Sequence, residues 1–165
     1  MNLEKLYKMQ TALDQHIEEK HQLTSEDLVD RKILALLVEI GELANETRCF
    51  KFWSTKPASD KSVILEEFVD GIHFILSLGI ESEFQIEEIK VSQESRENGR
   101  STSEQFLEVY KSINEFRTNR TEKNYLTMFQ EYLILARLLD FSEKEIEQAY
   151  IEKNEVNYER QQKGY

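Results

Sequence analysis

Four acidic side chains in this chain are spaced to hold a cation. Glu39 and Glu42 lie three residues apart, and so do Glu67 and Asp70, so each pair projects from one face of a helix, one turn above the other. With 32 acidic residues in the chain, neither spacing means much by itself; the setting singles them out. Residues 33–44 are apolar nearly all the way round a helix except for Glu39 and Glu42, and Glu67 and Asp70 sit on a segment that is apolar on its other side. A buried carboxylate is not tolerated without a cation or hydrogen-bond donors beside it. Paired acids of this kind suit Mg²⁺, which prefers hard oxygen ligands and keeps waters for a phosphate-bearing substrate. Four carboxylates can hold two or three such ions, with Mn²⁺ as a substitute, and the chemistry they support is metal-assisted hydrolysis.

The elements that must position these groups read as helices. Leu3, Leu6, Tyr7, Met9, Leu13 and Ile17 recur at helical spacing and predict a first helix over about residues 2–20, with Gln10 and Asp14 four apart on it. Ser25 before Glu26 and Asp27 reads as the N-cap of a second helix that reaches about Thr47 and closes in an aromatic and basic cluster, residues 48–53. Ser62 is expected to cap a third helix whose apolar side carries Ile64, Leu65, Phe68, Val69, Ile72, Ile75 and Leu76. At about 100° per residue, Glu66, Glu67, Asp70 and His73 gather on its opposite face. Residues 81–103 turn polar and weakly periodic, with Asn98–Gly99 marking a turn, and are expected to be the least ordered part. Phe106, Val109, Tyr110, Ile113 and Phe116 predict a fourth helix, and Tyr125 to Leu139 a fifth. Ser142 followed by Glu145 forms a capping box that opens a sixth, through about Tyr158, on which Lys153, Asn157 and Arg160 share one stripe.

Composition agrees with this outline. Five glycines and one proline in 165 residues are too few turn-makers for a sheet protein, and the fold expected is a single all-α domain, a helical bundle of about six helices over residues 1–165. A net charge of −11 and no large basic patch exclude a nucleic-acid-binding surface, while a nucleotide can still enter a small pocket that is locally basic or metal-lined. Cys49 is the only cysteine, which excludes a disulfide framework and points to a reducing compartment. Residues 1–7 do not read as a secretory signal and no run approaches a membrane span, so the expectation is a soluble, cytoplasmic protein without a membrane partner.

Glu39-x-x-Glu42 followed by Glu67-x-x-Asp70 resembles the paired acidic motif of the all-α NTP pyrophosphatase superfamily, which includes MazG-type enzymes. Three further stretches resemble the dimeric dUTP diphosphatases within it: Met9-Gln10-x-x-Leu13-Asp14, Phe50-Lys51-Phe52-Trp53, and the closing run from Tyr150 to Tyr165, of the form Tyr-x-x-Lys-Asn-x-x-Asn-x-x-Arg-Gln-x-x-Gly-Tyr. The resemblance implies Mg²⁺-dependent hydrolysis of dUTP, and often of dUDP, to dUMP, with attack favoured at the β-phosphorus. It implies that Glu39, Glu42, Glu67 and Asp70 are the metal ligands, and that Gln10 and Trp53 line the uracil and deoxyribose pocket. Lys51, Lys153 and Arg160 would meet phosphate oxygens, and Asn154 and Asn157 would read the base or sugar. Asp14 falls at a substrate-contacting position where some members carry Asn, and Ser54 where others carry Lys. The resemblance also implies a homodimer, and the apolar breadth of residues 125–139 suggests surface left to cover.

Other readings of the same residues compete. The superfamily motif also fits a pyrophosphatase acting on another nucleotide such as dCTP. Asp70-x-x-His73 faintly suggests a di-iron carboxylate bundle, which needs Glu-x-x-His twice and finds no second example among His16, His21 and His73. A helical adaptor with solvated acids, including a solvated stripe of Lys153, Asn154 and Arg160, is the non-enzymatic alternative. Phe50 and Cys49 read as packing residues, and His73 as the partner of a nearby carboxylate.

Overall fold

The computed structural model describes residues 1–90 and 99–164; among them it contains six helices and no strand. In chain order these are α1 (Leu3–Lys20), α2 (Val29–Thr47), α3 (Lys61–Glu81), α4 (Thr102–Thr118), α5 (Glu122–Leu138) and α6 (Glu143–Gln162). Asn98 of the expected turn and Tyr165 of the closing motif lie outside the described residues, while Gly99 does take a left-handed φ of 65°.

Helix α3 is the axis of the fold and packs against α1, α2, α5 and α6. Its apolar positions Ile64, Phe68, Val69, Ile72, Ile75, Leu76 and Leu78 are all buried, which fixes it as the central element by the hydrophobic effect alone. Two glycines let α5 come close. The Tyr132 hydroxyl donates to the Phe68 carbonyl at 2.8 Å beside Gly71, and the Tyr125 hydroxyl donates to the Ile75 carbonyl at 2.9 Å beside Gly79. A Cβ on Gly71 would stand 2.2 Å from the Tyr132 oxygen, and one on Gly79 would stand 2.3 Å from that of Tyr125. Gly71→Ala is therefore expected to cost about 2–3 kcal/mol through overpacking and the strained Tyr132 bond. Thermal denaturation checks this, as a fall in Tm of roughly 5–10 °C.

The helix ends depart from expectation in two places. Helix α2 begins at Val29 rather than at Ser25, because the Asp27 carboxylate takes the Val29 N–H at 3.0 Å and the residues before it form a turn. Helix α3 begins at Lys61, so Ser62 lies within its first turn and does not cap it. The Ser142–Glu145 capping box on α6 is present as expected, and Ser101–Glu104 forms a second on α4.

Three apolar expectations are also corrected. Tyr125, Met128, Phe129, Tyr132, Leu133, Leu135 and Ala136 of α5 are all buried within the chain, so that helix leaves no broad surface uncovered. Exposed apolar side chains stand instead at Leu34 and Val38 on α2 and Leu107 on α4. Phe50 and Cys49 are not core residues: both are exposed on the turn after α2, where Phe50 meets the edge of Trp53 and the Lys51 ammonium.

Candidate active site

Helices α1, α2, α3 and α6 enclose a cleft of about 330 Å³ whose wall includes Gln10, Asp14, Lys32, Glu39, Asp70, His73, Ser77, Asn157 and Arg160. At one end the acids converge. One carboxylate oxygen each from Glu39, Glu67 and Asp70 lies within 4.8 Å of the others. The two helices reach this arrangement because Glu39 comes from α2 and the other two from α3, with the i, i+3 spacing aiming Glu67 and Asp70 the same way.

Glu42 is exposed beside this group rather than buried with it. Three residues turn the helix by about 300°, so Glu42 falls about 60° round from Glu39, on the solvent side. Its charge still acts on the cluster. Burial first, then the charges of Asp70, Glu42 and Glu67, push Glu39 up to about 7 against a smaller pull from Lys153. Glu67 is raised by burial and by Asp70 and Glu42, and Asp70 by burial, partly offset by its hydrogen bond to Lys153.

These shifts fit a divalent cation. Three hard oxygen donors held close enough to repel one another are what Mg²⁺-type ions relieve. No histidine joins them among the described residues, which disfavours the di-iron reading. The metal-free protein should show the strain directly. A carboxyl whose folded value exceeds its unfolded value of 4.5 keeps a proton that the unfolded chain gives up, so stability falls as pH rises from about 4.5 to about 7. Melting curves in chelator at pH 5, 6 and 7.5 are expected to show Tm falling, with a divalent salt restoring it at pH 7.5.

Lys153 bridges the cluster to α6. Its ammonium donates to Asp70 Oδ2 at 2.7 Å and to Glu66 Oε1 at 2.9 Å, with only 9 % of its side chain exposed. Burial alone would lower its pKa, yet these hydrogen bonds raise it, so it stays charged. Arg160 lines the cleft two turns further along α6, and its charge also acts on Asp70. Asn157 lines the cleft between them, and Asn154 is buried beside Lys153.

The other end is a polar floor that the chain's own pattern did not announce. Gln10 donates to Asp14 Oδ1 at 2.7 Å, and Ser77 donates to Asp14 Oδ2 at 2.6 Å. Lys32 bonds Glu81 at 2.5 Å and Glu18 at 3.3 Å, and stands 3.9 Å from Asp14, tying α1, α2 and α3 together at the cleft wall. Gln10 Oε1 takes the Tyr150 hydroxyl at 2.7 Å and the His73 Nδ1 at 2.8 Å, and the imidazole stacks on the Tyr150 ring with centroids 4.1 Å apart. His73 is thus the partner of an amide rather than of a carboxylate, since its ring turns inward toward α1. Lys51 and Trp53 stand elsewhere: the Lys51 ammonium bonds Asn45, and Trp53 is 64 % exposed on the turn after α2.

A family model described as dUTPase matches residues 2–165. The chain belongs to the dUTPase family. Its reaction is the hydrolysis of dUTP to dUMP and diphosphate, and the all-α architecture agrees with the dUTPases it resembles in sequence. A comparison with curated proteins gave no match. A dUTPase needs a site for a highly charged triphosphate and another for a nucleoside, and this cleft offers an ionic end and a polar floor in one cavity. No helix is long and apolar enough to cross a membrane among the described residues.

Proposed function

We propose that Glu39, Glu42, Glu67 and Asp70 hold two or three Mg²⁺ ions, with Mn²⁺ able to replace them, and that the cleft beside them seats dUTP and also dUDP. The observation that carries this reading is the meeting of the Glu39, Glu67 and Asp70 oxygens within 4.8 Å, with Glu39 and Asp70 on the wall of a cleft that also holds Gln10, Asn157 and Arg160. Bound there, the ions supply Lewis-acid polarisation of the phosphate oxygens and lower the pKa of the attacking water.

The side chains do the rest. Lys153 and Arg160 present positive charge to the triphosphate and offset the charge that grows on the dUMP leaving group as water attacks the β-phosphorus. Asn154 and Asn157 contact base or sugar from α6, and Gln10 and Asp14 form the floor under the nucleoside. Lys51 and Trp53, on the exposed turn after α2, complete the substrate contacts on the strength of the motif they belong to. The domain is taken as one unit over residues 1–165, working as a cytoplasmic homodimer. Exposed Leu34, Val38 and Leu107 support pairing, and the lone exposed thiol of Cys49 supports a reducing compartment. Light scattering should give twice the chain mass.

A nucleotide panel tests the reading. Hydrolysis of dUTP is expected to exceed that of dTTP and dCTP and to stop in chelator. Equal rates across the panel would reject the uracil assignment, and undiminished turnover in chelator would reject the metal assignment.

A further inference from the structure

Lys153 does not rest on the converging acids alone. Its ammonium lies between two carboxylates of α3, donating to Asp70 Oδ2 at 2.7 Å and to Glu66 Oε1 at 2.9 Å. Glu66 and Asp70 are four residues apart, so they stand one turn above the other on one face of α3 and make a two-pronged acceptor. The prongs differ. Asp70 is poorly exposed and belongs to the group whose oxygens converge with those of Glu39 and Glu67. Glu66 has no place in that group, and 58 % of its side chain faces solvent. Neither acidic pair spaced for a cation includes it.

Asp70 cannot serve two cations equally. Once its charge goes to a divalent ion, the hydrogen bond to Lys153 weakens and like charge drives the ammonium away. Lys153 cannot answer by moving out into water, because only 9 % of its side chain is exposed. A poorly exposed ammonium without a charged partner is strongly disfavoured. Glu66 meets that need, since its oxygen already lies within hydrogen-bond distance and is not among the converging ligand atoms. The lysine then has only to tilt its ammonium from one prong to the other, which its flexible stem allows. An ammonium carries three hydrogens. The two acids of α3 take two of them, and among the described residues one remains for a phosphate oxygen.

Resting on the reading that Glu39, Glu67 and Asp70 hold the ion and that Lys153 meets the triphosphate, we propose that Glu66 is a positioning residue, holding the Lys153 ammonium in place when Asp70 turns to the metal. Glu66 touches neither substrate nor ion and acts wholly through Lys153. One contact has two effects. It eases the displacement of the ammonium from Asp70, so the ion binds more tightly, and it keeps a cation where charge develops during hydrolysis. A solvated acid without this role would form a surface ion pair that contributes little.

A double-mutant cycle tests this. Glu66→Gln is made in the wild type and in Lys153→Met, with folding checked by circular dichroism. Two quantities are read in each: Mn²⁺ affinity without nucleotide, by electron paramagnetic resonance, and kcat/KM for dUTP in saturating Mg²⁺. In the wild-type background Glu66→Gln is expected to weaken Mn²⁺ binding about fivefold and to lower kcat/KM about tenfold. In Lys153→Met it is expected to change neither, because no ammonium is left to hold. An equal loss in both backgrounds would overturn the proposal, since Glu66 would then act as one more negative charge near the ion. Wild-type values in Glu66→Gln would overturn it too. Either result leaves the metal reading standing as long as Glu39→Gln/Asp70→Asn loses its Mn²⁺. Undiminished uptake by that variant would remove the metal reading and the role of Glu66 with it.

Discussion

Glu39→Gln is expected to abolish nearly all dUTP turnover while making the metal-free protein more stable. Glu39 is the acid most strained by its neighbours, pushed up to about 7 by burial and three like charges. A neutral amide of the same shape removes that repulsion, so Tm in chelator at pH 7.5 should rise. The same change removes a ligand oxygen from the set within 4.8 Å. Metal ions contribute several kcal/mol of transition-state stabilisation, so a poorly held ion should lower kcat/KM by roughly 10³-fold. The opposite signs matter. A residue that merely packs would lose activity and stability together, and a solvated acid would change neither. Turnover with excess Mg²⁺ beside melting curves in chelator reads both.

Lys153→Met carries the second large effect and has the other pattern. It strands Asp70 with its own burial and with Glu66 beside it, since the ammonium that bonded both at 2.7 and 2.9 Å is gone. Breaking one partner of a poorly exposed ion pair leaves an uncompensated charge, so stability in chelator should fall by about 2–3 kcal/mol. Activity should fall roughly 10²–10³-fold, as when one preorganised electrostatic donor is removed from a transition state. Adding Asp70→Asn to Lys153→Met should recover most of the stability and none of the activity. If the double variant instead stays as unstable as Lys153→Met, the loss comes from packing of the lysine stem and not from charge.

What could be read in the chain before its structure was local. The Ser142–Glu145 box lies within one turn, and the apolar positions of α1 and α3 repeat at the helical period, so both were legible from spacing alone. Ser25 misled because a serine before acids signals a cap equally well whether or not a nearer carboxylate, here that of Asp27, takes the first free N–H. Glu42 misled for a related reason. An apolar run marks a helix as buried without saying how wide its buried face is, and Leu34, Val38 and Glu42 lie outside that face.

The polar floor was harder to see. Gln10 and Asp14 were picked out by a motif, but Tyr150 and Ser77 reach them from 140 and 63 residues away, and nothing in the spacing of a tyrosine or serine announces such a partner. Lys32 was missed because a single lysine on α2 looks like any solvated cation until α1 and α3 bring Glu18, Asp14 and Glu81 around it. His73 could have been placed by its position among the buried residues of α3. The acidic face assigned to that side of the helix hid it.

The account stands on Glu39, Glu67 and Asp70 acting together as a cation site. Mn²⁺ titrated into metal-free protein, with the free ion counted by electron paramagnetic resonance, measures this without nucleotide or turnover. Wild-type protein is expected to take up at least one ion per chain, and Glu39→Gln/Asp70→Asn, folded by circular dichroism, to take up almost none at the same concentrations. Equal uptake by the two proteins would contradict it.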